Sequence, residues 1–405
     1  MKDPGLPHVH EMIEKIAYIS QSKVNLEKRM LWENLWLLKA DRPLVLARAY
    51  HYNQWMDERT ASCDPFLKSI ELQLLRKLAK DGMQDDEIME PFITIDAVFQ
   101  DGTSDDSMFG LPFQRLRTPG GISHGFIPQI FSVDDLNRLH MPDPFIDEKA
   151  TSLLFEKAQD AVDGKLGIRV NTIRPWMLNW INPAFIAIYY IGFQEMLYAL
   201  VEDPEFLHSV MDFFSSCFDR YLTEAQSLGY LPPANRVTSN SIPHPFSMYD
   251  AKSPAKSLLQ LVARGDSQEF ALVSPEQTEE FLLAYQRPIF NRFMFTHYGC
   301  CECFHRKWDL LKSIPNLRLY AVSPYTNLEE AVGEMGDGYA IDWRVNVANV
   351  ISGQNQIAMR KEVEEGVRVS KGKNIAVVLQ DVETLNGNKN LIHEWVQAAK
   401  AGIGM

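Results

Sequence analysis

Short apolar runs alternate with longer stretches of helical periodicity along most of this chain. That alternation constrains the fold more than any other feature. Runs expected as strands fall at 44–47, 91–99, 167–172, 237–239, 293–296, 317–322, 338–342 and 375–379. Helical spacing fills most of the intervals, at 10–40, 64–82, 183–200, 204–228, 275–290, 304–312, 328–335, 354–370 and 390–401. Such a chain builds a parallel sheet covered by helices. Seven or eight units favour a closed barrel over an open sheet. The expected class is therefore α/β, a (β/α)8 TIM barrel with an N-terminal helical extension. Residues 1–90 are expected to form the extension and 91–405 the catalytic barrel.

Charge narrows the partners. Forty basic residues against 53 acidic ones leave a net charge of −13. That balance argues against a general nucleic-acid binder and against an anionic membrane surface. Five cysteines, three of them clustered, do not make a secreted disulfide framework, so a reducing cytoplasm is the expected setting. The first residues carry no basic start followed by an apolar core. The apolar run near 185–191 is too short to span a bilayer. No Gly-x-Gly-x-x-Gly follows a strand and no phosphate-cradling loop is present, which leaves nucleotide binding without support.

The densest chemistry is the run Thr296-His297-Tyr298-Gly299-Cys300-Cys301-Glu302-Cys303. Imidazole, thiolate and carboxylate are the side chains that hold zinc. An apolar strand delivers the run to an open edge, which is where barrel enzymes keep their chemistry. Gly299 permits a turn there because it tolerates positive φ. His297 with Cys300 or Cys301 could then reach one ion, Cys301 being slightly favoured because neighbouring cysteines point apart. Glu302 is either a ligand or the residue that orients one, and is a candidate catalytic carboxylate. A further carboxylate is expected after the 375–379 strand, where Asp381 and Glu383 stand as catalytic and metal-binding candidates. Against this stands the plain reading of the three cysteines as small buried hydrophobes.

Other polar residues near expected strand ends are Asn171, Arg174, Asn240, His244, Glu269, Ser323 and Asp342. Arg174 could bind an anion or pair with an acid. His244 lies in a rigid Pro-His-Pro loop, where a structural role competes with a functional one. Trp176 opens an aromatic stretch, 176–190, that is mostly core with room for a pocket residue. Arg174, Trp176, Asn240 and His244 are the substrate-binding candidates.

The order of these fragments resembles the uroporphyrinogen decarboxylase superfamily, and within it the cobalamin-dependent methyltransferase branch. The resemblance runs over 130–400. It is carried by Phe131-Ser132-Val133-Asp134-Asp135-Leu136, by Gly192-Phe193-Gln194-Glu195-Met196-Leu197 with Asp203-Pro204-Glu205, by Ser274-Pro275-Glu276, by His297, and by Leu328-Glu329-Glu330-Ala331 with Met335-Gly336. It implies a (β/α)8 barrel with its site at the C-terminal strand ends. It also implies zinc held by His-x-Cys and a later cysteine. This chain departs from that pattern. Position 299 is glycine, Cys300 and Cys301 follow, and 375–385 holds no cysteine, so Asp381 or Glu383 would have to stand in.

The resemblance implies a zinc-dependent methyltransferase, possessing an O-demethylase-like role, that moves a methyl group between a small methylated substrate and the cobalamin of a separate corrinoid protein. A Lewis-acidic zinc would stabilise the heteroatom that loses its methyl group. No Asp-x-His-x-x-Gly run is present to ligate cobalt, so the corrinoid would arrive on a partner. The many aromatic and Met residues favour an aryl methyl ether. Two other readings remain: a metal-independent decarboxylase with Arg48, Arg174 and Arg344 anchoring carboxylates, and a non-catalytic zinc-binding or corrinoid-docking module.

Overall fold

The computed structural model describes residues 3–48, 59–117, 124–236, 242–353, 355–370, 372–382 and 384–405. Cap-and-proline pairs start the helices. Asp64-Pro65, Asn182-Pro183, Asp203-Pro204 and Ser274-Pro275 each place a side-chain oxygen on the N–H three residues on, while proline occupies the first helical position. The stretch expected as one helix over 10–40 is two, Leu6–Ser20 and Lys23–Trp36, because Ser22 caps the second. The stretch expected over 183–200 is likewise two helices, Pro183–Ile191 and Phe193–Glu202, bent by 101°. Gly192 makes the bend at φ +82. Among the described residues no single helix is long and apolar enough to cross a membrane.

Among the described residues eight strands run parallel in two sheets. The larger sheet has the order β1 (Leu44–Ala47), β10 (Ile375–Leu379), β9 (Ala340–Arg344), β8 (Leu317–Val322), β7 (Phe295–Tyr298) and β6 (Val262–Gly265). The smaller pairs β2 (Phe92–Asp96) with β5 (Gly167–Asn171). A separate antiparallel hairpin joins β3 (Arg115–Arg117) to β4 (His124–Phe126). Strand β6 was not expected. It has four residues, includes an arginine, and is too short to show a period. The strand expected at 237–239 lies outside the described residues. The chain is thus α/β with parallel strands, and the two sheets do not pair with each other among the described residues, so they do not close the expected barrel. Strand β1 lies before residue 90 and joins the larger sheet beside β10, so the N-terminal segment supplies a strand as well as helices.

Side chains occupy the edges where the two sheets would meet. Asp86 exchanges bonds with Val45 of β1, accepting from its N–H at 2.8 Å and donating its own N–H to the Val45 carbonyl at 2.8 Å. Asp85 accepts from Ala47 N–H, and Lys80 donates to the Ala47 carbonyl. On β2 the Gln73 amide bonds both the N–H and the carbonyl of Thr94. At the β6 edge Ile181 N–H donates to the Arg264 carbonyl. Each of these groups finds a partner without a neighbouring strand.

Alternation sorts the sheet into two faces. Outward residues such as Val45, Tyr298, Tyr320, Ile341 and Val377 pack under the helices. Inward residues change character along each strand. Near the strand starts they are apolar: Leu44, Val262, Leu319, Ala340 and Ala376 join Trp32 and Trp36 in one cluster. Near the strand ends they are Arg48, Arg264, His297, Asp342 and Arg344, all buried. The apolar end is plugged by the two tryptophans, whose indoles donate to the carbonyls of Asp86 and Pro243. The buried polar side chains of the sheet therefore gather at the other end.

Candidate functional site at the strand ends

Strand β7 ends in a turn that glycine makes possible. Gly299 sits at φ +109, and a Cβ there would come within 3.1 Å of Ala321 and Phe304. The turn carries Cys300, Cys301 and Glu302 over the end of the sheet. The two sulfurs lie 3.6 Å apart. Cys300 is buried and its thiol is pushed well up by the hydrogen bond to Cys301 and by burial. Cys301 is exposed and its thiol is lowered, first by the bond from Cys300 and further by Arg344, against burial and the nearby Asp381 charge. The pair thus divides its roles: Cys300 keeps its proton and Cys301 gives up its own more readily.

Glu302 holds the turn together. One oxygen accepts Cys300 N–H at 2.7 Å, and the other accepts Ser267 N–H at 2.8 Å and the Ser267 hydroxyl at 3.1 Å. Cys301, Glu302 and Glu269 line one cavity of about 310 Å³, together with Ile188, Phe193, Gln268 and Ala271.

His297 is fully buried in the inward polar layer and does not line this cavity. Its Nε2 lies 3.2 Å from Asp342 Oδ2, without the alignment of a hydrogen bond. Strands β7 and β9 are separated by β8, where the inward residue is the small Ala321, register partner of Asp342. Burial lowers the His297 imidazole to about 4, with Asp342 opposing and Arg264 and Arg344 assisting. Burial would raise Asp342, but Arg344, 3.2 Å away, and His297 hold its carboxyl well below the usual range.

These donors do not fit a zinc site. The imidazole faces Asp342 with guanidiniums beside it, and Glu302 spends both oxygens on N–H and hydroxyl donors. Among the described residues no three His, Cys, Asp or Glu side chains are grouped as a metal requires. Glu383, expected as a ligand, lies outside the described residues, as does Asn240. Asp381 follows β10 at the rim, exposed and at φ +60.

The expected substrate-binding residues are dispersed. Arg174 is buried, grips both oxygens of Asp101 at 2.7 and 2.8 Å, bonds Thr103, and lies over the Phe99 ring. It ties the 101–105 loop to the fold. Trp176 packs among Phe113, Phe185 and Tyr189. His244 is buried edge-on to Trp36, exchanges backbone bonds with Arg236, and is held neutral by burial and by that arginine.

Asp266 and Asn182 were not anticipated, and Glu269 was noticed only as a polar residue near a strand end. Asn182 Nδ2 donates to Asp266 Oδ1 at 2.6 Å and to Glu269 Oε2 at 2.8 Å. The sequence signal for Asn182 was its place before Pro183, which reads as a helix cap and nothing more. In sequence, no family profile and no curated protein matches this chain. In structure it is similar to a methyltransferase from Methanosarcina mazei, with a TM-score of 0.54 and 11% identity, over 92% of this chain and 96% of that one.

Proposed function

We propose that this chain is a methyltransferase that moves a methyl group between a small methylated compound, favoured as an aryl methyl ether, and the cobalamin of a separate corrinoid protein. The observation that carries the reading is Cys301: a thiol inclined to ionise, at the C-terminal strand ends, lining a cavity next to two carboxylates. A thiolate is a soft nucleophile suited to a methyl carbon. The fold likeness to a methyltransferase along nearly the whole chain supports it. Phe193 on the cavity wall and Leu272, next to the wall residue Ala271, are exposed apolar side chains, which suits a large partner at the opening.

In this reading Cys301 contacts the methyl group, Cys300 donates to its sulfur, and Glu302 fixes the turn that positions both. Zinc has no step in it. A second reading, a metal-independent decarboxylase, draws on Arg344, whose Nε and Nη1 have no partner although the side chain is buried. The closed docking module finds less support, because Cys301 is exposed beside a cavity.

The test is transfer from methoxylated aromatics to cob(I)alamin, followed by the absorbance of methylcobalamin. Cys301→Ser is expected to lower the rate at least ~100-fold. Carbon dioxide release from carboxylated substrates without methyl transfer would favour the second reading. Stoichiometric zinc in the purified protein, lost in His297→Ala, would restore the metal centre.

A further inference from the structure

Asp266 continues the inward row of β6 one step past Arg264, and Glu269 follows in the single turn Gln268–Phe270. They are 1% and 5% exposed. The Asn182 amide bonds both acids closely, is itself fully buried, and has its own oxygen committed to Phe185 N–H; Gln268 bonds both through longer contacts. An amide is neutral and cannot offset two negative charges. Among the described residues Asp266 Oδ2 has no partner, its Oδ1 also takes a long bond of 3.4 Å from Gln268 N–H, and Glu269 Oε1 accepts from the Gln268 amide at 3.3 Å. Glu302, by contrast, accepts from three donors. Arg264 faces Asp266, Lys307 faces Glu302, and Tyr189, Tyr298 and the Cys300 thiol complete the titratable surroundings. Two carboxylates buried around shared neutral amides retain a proton between them. Burial acts in the same direction: it raises Glu269 to about 7, with Glu302 adding to it against the bonds from its own N–H, Asn182 and Gln268, and it raises Asp266 well above its usual range, with Glu269, Glu302 and Cys300 adding to it against Arg264. Of the pair, Glu269 lines the cavity that Cys301 also lines.

We propose that Asp266 and Glu269, joined through Asn182, form a proton-holding pair from which Glu269 protonates the heteroatom that gives up its methyl group. This rests on the methyl-transfer reading. The nucleophile, a low-valent corrinoid or a thiolate, supplies the electron pair of the new bond to carbon. The carbon–oxygen bond breaks with its pair going to oxygen. The Glu269 proton passes to that oxygen, leaving an alcohol or phenol, a methylated nucleophile and a Glu269 carboxylate that keeps the Asn182 N–H bond. A proton from solvent then restores the acid. Donors whose leaving oxygen is basic depend on this proton; donors with an acidic phenol do not. The pair therefore extends transfer to methyl ethers whose leaving oxygen is basic.

Two measurements test it on the full chain. Difference infrared spectroscopy with carboxyl-labelled glutamate is expected to show a protonated-carboxyl band at pH 6 that disappears as pH rises through about 7, and that is missing in Glu269→Gln. A band that survives in Glu269→Gln, or no band titrating near neutrality, overturns the proposal. In methyl transfer to cob(I)alamin, Glu269→Gln is expected to lose ~100-fold or more with methoxybenzene and methoxyphenol, and less than about 3-fold with a nitro-substituted methoxybenzene whose phenoxide leaves unaided. Equal loss on all donors overturns it. If the unmodified protein transfers methyl from none of them, the methyl-transfer reading fails, and the infrared arm still decides whether Glu269 holds the proton. Asp266→Asn, which leaves Glu269 in place, is expected to keep a Glu269 band but shift its disappearance to lower pH.

Discussion

At the scale of single residues, the turn after β7 concentrates the consequences of one glycine. Gly299→Ala would force a Cβ against Ala321 and Phe304 at a φ of +109. The expected cost is about 1–3 kcal/mol, read from urea unfolding, with Cys301 alkylation changed because the turn carries it. The two sulfurs give a second prediction. Iodoacetamide should label Cys301 faster than an ordinary exposed thiol at pH 7, resolved by peptide mass spectrometry. Cys300→Ser should slow that labelling, since the bond from Cys300 is the first cause of the lowered Cys301 thiol. Asp342 sets a pH dependence. Its carboxyl is held below the unfolded value of about 3.9, so its contribution is complete above that value and is lost as pH falls below it. Asp342→Asn should flatten the acid limb of stability while costing about 3–5 kcal/mol at pH 7, because Arg344 is left buried beside a neutral group.

Among the elements, the strand edges are the least conventional part of the molecule. Gln73 stands in for a missing strand beside β2, and Asp85 with Asp86 beside β1. Gln73→Ala removes two bonds to the Thr94 backbone, and about 1–3 kcal/mol of stability is expected to go with them. Hydrogen exchange at Thr94 N–H should quicken more than at amides within the β2–β5 ladder. Most elements were legible from the chain. The runs at 317–322 and 375–379 are strands with the bounds expected. The breaks at Ser22 and Gly192 were not read. A capping serine inside a helical pattern and a glycine at φ +82 act through backbone geometry that residue periodicity does not report.

Across the whole molecule, the alternation of apolar runs and helical stretches determined a parallel α/β architecture. The reason is local: period, caps and prolines act over a few residues and are written in order. That His297 stands in β7 and Cys300, Cys301 and Glu302 just after it was legible for the same reason. What those residues face was not. His297 meets Asp342 across an intervening strand, and Asn182 meets Asp266 and Glu269 over 84 and 87 positions of chain. Only folding brings such groups together, and only burial then decides which of them keeps a proton, because the cost of a charge depends on the surroundings that the finished fold supplies.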